Sequence, residues 1–373
     1  MKYLFLPIVV LALLAASCGP SAPKFLRKKT LHEKYAQKLE DTGLKKTPAG
    51  SAWLAVAQGA LQSPQSIELP FQFRGYFNKD KPRALGLQFT PKPGEQLIIS
   101  ISKKSVPLVI YADLFRRSGE TFAPVLSADT AQSEFRFDIE EEGAFILRLQ
   151  PELFQSGEYT VSISIGPSLL FPVAGGKAKA GSFWGASRDG GRRSHEGIDI
   201  FAAKGTPAIA AAPGVISGVR EGGIGGKVVW LRPRDKRVHL YYAHLDQQLV
   251  QEGQVVEEGD TLGLVGNTGN ARTTPPHLHF GVYTSSGAID PFPFVNQALR
   301  KAPSAPVRKL SEYLRLTKAQ KLEGAETVKA NTLLVPLGIT NNTYLAELPD
   351  GRRLEVPFSI IKTSGQPVIT PRL

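Results

Sequence analysis

From about Ser66 to Gly166 apolar and polar residues alternate in short segments: ALGLQFT, QLIISIS, FRFDI, AFILRLQ and YTVSISI. Gly, Pro and charged turns separate them. A period of two marks strands with one buried face. Residues 66–168 are therefore expected to form an antiparallel β-sandwich. Residues 19–65 read differently, because LHEKYAQKLEDTG and SAWLAVAQGAL carry helix formers with Gly43 as a stop; a linker with helices is predicted. Residues 301–373 follow the Pro/Ala stretch KAPSAP and contain TLLVPLGI and YLAELPDGRRLEVPFSII. There Asp350-Gly351 between apolar runs signals a hairpin, and a small SH3-like β-domain is expected. The fold class predicted for the whole chain is mainly β.

The same parity sorts side chains in the remaining stretch, residues 169–300. In TPPHLHFG, His277 and His279 fall on one face of a strand while Leu278 and Phe280 take the other. In VHLYYAHLD, His239 and His244 are an odd number of residues apart, so a regular strand points them to opposite faces. His244 is expected to share its face with Tyr242 and Leu240. His239, after the polar run PRDKR, is the weaker candidate for chemistry. Shared direction lets two imidazoles aim at one point, but does not by itself require a metal.

The first residues change the picture from fold to location. One Lys precedes an apolar run from Tyr3 to Ala16, and small residues lead to Cys18. The run is short for a transmembrane helix and fits an export signal over residues 1–18. Cys18 is the only cysteine of the chain, so no intramolecular disulfide is open to it. Ala15-Ala16-Ser17-Cys18 resembles a bacterial lipobox, with Ala15 where Leu is usual; the resemblance implies a lipidated Cys18 anchoring the protein to a membrane. The formal net charge of +12 would suggest nucleic acid in the cytoplasm. For an exported chain it points instead to cell-wall polymers and anionic head groups, with no nucleic-acid partner.

Five of the six histidines lie between positions 195 and 279. The sixth, His32, is expected on the surface of the N-terminal helices. SHEGIDIFA sets His195 and Asp199 four apart, with Glu196 between them. A helical His-Glu-x-x-His zinc motif is rejected, because Gly197 and IDIFA favour a loop entering a strand.

His-x-x-x-Asp, then Tyr-x-His-Leu, then His-Leu-His-Phe-Gly, together with GTPAIAAAPGVI, VQEGQVVEEGDTLGLVGNTGN and IDPFPF, resembles the lysostaphin-like, LytM-type (duplicated hybrid motif) zinc endopeptidases of bacterial cell walls. The likeness covers about residues 180–295. It implies an antiparallel sheet or half-barrel for residues 169–300, with Zn²⁺ as the cofactor held by His195, Asp199 and His279. His244 and His277 would be the catalytic, non-ligand histidines. Tyr242 is a weaker candidate for the oxyanion, Arg272 for a substrate carboxylate, and Glu196 is expected near the ligands or at the surface. The implied activity is hydrolysis of peptide cross-links between peptidoglycan stem peptides, in the cell envelope. With a lipid anchor, an outer-membrane position facing the periplasm is expected. The competing reading is a noncatalytic regulator of other wall hydrolases; it is disfavoured because all five site residues are present. A bacteriocin fits poorly, since an anchor would retain it on its producer.

Overall fold

A computed structural model describes residues 28–104, 108–321 and 327–367. The export signal and Cys18 lie outside the described residues, among which no helix is long and apolar enough to cross a membrane. Helix α1 spans Leu31–Asp41 and is opened by a capping box in which Thr30 and Glu33 exchange side-chain-to-backbone hydrogen bonds, satisfying donors that a helix start leaves open. It ends at Thr42, where Gly43 takes φ 74°, the left-handed conformation that glycine adopts without penalty. Helix α2 spans Pro48–Gln62.

These helices correct one expectation. His32 is buried, stacked on Trp53 with ring centroids 4.5 Å apart. Its Nε2 lies 2.7 Å from Gln150 Oε1, Gln150 Nε2 donates to the Trp53 carbonyl, and Trp53 Nε1 donates to the Pro151 carbonyl. A single histidine in a polar helix gives no sign of this, because the partner strand lies over a hundred residues away.

The sandwich forms as the alternation predicts. One sheet joins Leu85–Phe89, Ala144–Pro151, Ile110–Ser118 and Thr121–Ser127, with Gln65–Ser66 at its edge. The other contains β1 (Phe71–Phe77), β2 (Glu95–Lys103) and β3 (Gly157–Pro167), with β3 between the other two. Leu97, Ile99 and Ile101 of β2 and Val161, Ile163 and Ile165 of β3 face the shared core. Each such side chain contributes about 1.5–3 kcal/mol when fully buried.

The third body is one antiparallel sheet whose centre is built from β4 (Ile198–Phe201), β5 (Gly226–Pro233), β6 (His239–Gln248) and β7 (His277–Thr284). Their order across the sheet is β4–β7–β6–β5. One face is closed by Ile198, Ile200, Leu240, Tyr242, Leu278, Phe280 and Val282. The opposite face carries the site. This body meets the sandwich through the Ile165 amide donating to the Arg300 carbonyl at 3.0 Å and through Lys236–Asp138 and Arg300–Glu95 ion pairs.

The C-terminal strands have a core of their own around Leu314, Leu316, Leu334 and Val356. The Asp350-Gly351 hairpin is formed, joining Thr343–Glu347 to Arg353–Pro357. Strand β8 (Leu333–Ile339) pairs directly with β1, with Gly338 opposite Gly75, so the sandwich sheet continues into the C-terminal segment. Both glycines are needed for close approach: a Cβ at Gly338 would lie 1.9 Å from Phe73 Cζ, and one at Gly75 2.4 Å from Tyr159 Cζ.

Candidate metal centre and catalytic groove

Register brings distant residues into rows on the open face of the third sheet. Asp199 of β4 lies opposite His279 of β7, and His279 lies opposite Ala243 of β6. Phe201 and His277 form the neighbouring row. His195 comes from the loop before β4, which is a strand entry and no helix. Gly197 makes room for the site: a Cβ there would sit 2.6 Å from the His279 ring.

Three donor atoms converge. His195 Nε2 lies 3.0 Å from Asp199 Oδ1 and 3.0 Å from His279 Nδ1, and His279 Nδ1 lies 3.1 Å from the same carboxylate oxygen. All three lie within 4.8 Å of one another. Donors about 2.0–2.1 Å from a tetrahedral zinc stand about 3.3 Å apart. The donor set therefore fits the ion by chemistry and by spacing. His195 Nδ1 is 3.0 Å from the Phe183 carbonyl; a carbonyl only accepts, so Nδ1 carries the proton of the neutral ring and Nε2 turns a lone pair to the centre. Burial pushes Asp199 up, yet the close His195 and His279 rings outweigh it and hold the carboxyl well below the usual range. Burial likewise lowers His279, favouring the neutral imidazole that ligation needs.

The other two histidines flank this centre. The His244 ring lies 5.0 Å from that of His277 and 5.8 Å from that of His279. His244 Nδ1 is 2.9 Å from the Thr268 carbonyl and His277 Nδ1 is 2.8 Å from the Pro275 carbonyl. Both rings are therefore protonated at Nδ1 and keep Nε2 as an acceptor. Burial first, then His277 and His279, lowers His244 to about 4, so it is neutral at pH 7.

Two expectations fail here for one reason. Tyr242 is fully buried on the core face, where its hydroxyl accepts the Ala211 amide at 2.9 Å; it is no oxyanion donor. His244 does not share that face. It takes φ 62°, a conformation rare in a non-glycine residue, and this local break in parity turns its side chain to the site while Leu240 and Tyr242 stay inside. Arg272 is exposed, and beside it Asn270, Ala271 and Thr274 make the wall of the groove. The arginines that do line the groove are Arg188, Arg192 and Arg193. Arg188 Nη2 donates to Asp199 Oδ2 at 2.8 Å and to Ser182 Oγ at 2.7 Å, leaving Oδ1 to face the histidines. Glu196 is exposed on the groove wall, and His239 is exposed one strand end away.

Residues 193–291 match Peptidase family M23, and the chain thus carries an M23 peptidase domain. Within that class, it is 39% identical over 124 residues to an L-Ala--D-Glu endopeptidase of Bacillus subtilis, covering 30% of this chain and 38% of the relative. It is 32% identical over 171 residues to the peptidoglycan DD-endopeptidase ShyC of Vibrio cholerae, covering 46% of this chain and 34% of the relative. The chain thus spans little more than a third of either relative. A solved structure, the catalytic domain of lysostaphin from Staphylococcus simulans, is 34% identical, with 31% of this chain and 90% of that chain covered and a TM-score of 0.29.

Proposed function

We propose that the protein is a zinc-dependent endopeptidase that hydrolyses peptide cross-links of bacterial peptidoglycan. The observation that carries this is the convergence of His195, Asp199 and His279 beside two further histidines whose Nε2 atoms are acceptors. His195, Asp199 and His279 would hold the ion. When bound, zinc supplies a water acidified to a pKa of about 7 and a positive charge beside the scissile carbonyl. His244 and His277 manage the protons: an Nε2 acceptor takes one from the attacking water and returns it to the leaving amine, and the protonated ring donates to the developing oxyanion. The carbonyls of Thr268 and Pro275 keep both rings in the tautomer this requires.

The basic charge of the chain supports an acidic polymer as partner. The apolar run before Cys18 supports export and lipid anchoring in the envelope, on the outer membrane facing the periplasm. With that location, a direct D-alanyl–diaminopimelate bond is the expected target, a choice supported by the DD-endopeptidase among the relatives. The test is to incubate the purified chain with isolated peptidoglycan, with and without chelator, and to separate the muropeptides. Loss of cross-linked dimers that stops on chelation is expected; cleavage that survives chelation and His279→Ala overturns the reading.

A further inference from the structure

We propose that Trp230, Tyr241 and Tyr283 form a substrate subsite that takes the aliphatic part of the peptide residue about two positions from the bond cut. The proposal rests on the endopeptidase reading above and says which part of the substrate the groove recognises.

The three rings come from three strands. Trp230 of β5 lies opposite Tyr241 of β6, and Tyr241 lies opposite Gly281 of β7. This row is the next one along from Asp199–His279–Ala243 on the same face. Successive residues on one face of a strand are about 6.7 Å apart, which is also the span of two residues of an extended peptide. With a peptide extended along the strands, a bond held at the metal centre brings the second residue along over the aromatic row. Ring contacts trace the same path: Tyr241 is 5.9 Å from His279, and Trp230 is 4.5 Å from Tyr241.

Gly281 shapes the floor. A Cβ there would lie 2.8 Å from Tyr283 Cε2, so glycine lets the Tyr283 ring fold back across the row. That ring meets Trp230 at 5.1 Å and Tyr241 at 6.1 Å, both edge-on, so the three rings brace one another. All three are partly exposed and line the same cavity of about 980 Å³ as the metal centre. The core of this body is on the other side of the sheet, so these rings are not there to fill it. An uncovered aromatic patch inside a polar-walled groove marks a binding surface.

The chemistry of the shelf selects its ligand. Burial, then the neighbouring Tyr283, pushes Tyr241 up to about 12, and burial raises Tyr283 also; the phenols stay neutral and offer flat apolar faces with hydroxyl rims. Carboxylates of an acidic stem peptide belong instead on the wall with Arg188, Arg192 and Arg193. A sugar ring could also stack on aromatic faces, but the distance to the metal row matches a peptide residue joined to the scissile bond.

The full chain carrying His277→Ala, zinc-loaded, is titrated with a cross-linked muropeptide dimer while tryptophan fluorescence is followed. A parallel titration uses the peptide-free N-acetylglucosamine–N-acetylmuramic acid disaccharide. A saturable change with the dimer alone is expected; adding Trp230→Phe abolishes it, and adding Tyr283→Ala weakens binding about tenfold. In the cleaving enzyme, Trp230→Ala and Tyr283→Ala each raise KM about tenfold with kcat and zinc content little changed. Unchanged KM in both folded, zinc-bearing variants overturns the subsite even though the chain cleaves. Disaccharide binding as tight as the dimer's overturns the peptide assignment. A wild type that neither binds nor cleaves overturns the endopeptidase reading and the subsite with it.

Discussion

The molecule buries histidines in two places, and they have little in common. His32 is stacked against Trp53, and its Nε2 is spent on Gln150. His195, His244 and His277 are as deeply buried, but each gives its Nδ1 to a backbone carbonyl and keeps Nε2 turned to a shared groove. Burial alone makes a histidine a packing residue. What makes a centre is several acceptor nitrogens converging on one oxygen of a carboxylate whose other oxygen is held by Arg188, fixed by strand register and by the backbone carbonyls behind them.

The comparison breaks most sharply at the ligands. His279→Ala or Asp199→Ala should reduce peptidoglycan cleavage by about a thousandfold or more, because the acidified water and the carbonyl polarisation are lost together. Muropeptide release against time measures it. His244→Ala and His277→Ala should each cost about 10²–10⁴-fold in kcat while zinc content stays at the wild-type level; loss of zinc in either would make it a ligand and redraw the site.

At the other histidine the effect falls on stability. His32→Ala removes a stacked ring and leaves Gln150 Oε1 without its partner, which should cost about 2–4 kcal/mol in urea unfolding and leave zinc binding alone. Burial, then the Arg148 charge, lowers His32 from 6.5 to about 3, so it is neutral in the folded chain and takes up a proton on unfolding. The sign follows: this contribution is complete above pH 6.5 and is lost as pH falls from there towards about 3, by up to about 1.4 kcal/mol per pH unit. The slope of stability against pH between 6 and 4 should be flatter in His32→Phe than in the wild type. Smallest is Tyr242→Phe, which leaves the buried Ala211 amide without its acceptor and should cost about 1 kcal/mol of stability with kcat unchanged; a large fall in kcat would return Tyr242 to the site.

Much of this was legible in the order of residues. Alternation foretold the sandwich, the hairpin at Asp350-Gly351, and the shared face of His277 and His279, because these depend on a period of two that register preserves. The strand at Ile198–Phe201 followed from Gly197 and the β-branched run after it. Parity misled at His244, since one residue with positive φ inverts the alternation, and nothing in YYAHLD announces it. The same break made Tyr242 look like a site residue and hid Tyr241. Arg188 was missed for Arg272 because the loop that delivers it is set by pairing between Ser182 and Asp199, a long-range fact. His32 could not be read without Trp53 and Gln150, and the continuation of the sandwich sheet into β8 depends on two glycines more than 250 residues apart.

The difference between the two kinds of buried histidine is tested most directly by metal content after exhaustive dialysis. One tightly bound zinc per chain is predicted for the wild type and for His32→Phe, and none for His279→Ala. Equal zinc in all three proteins would contradict the assignment of His195, Asp199 and His279 as the metal centre.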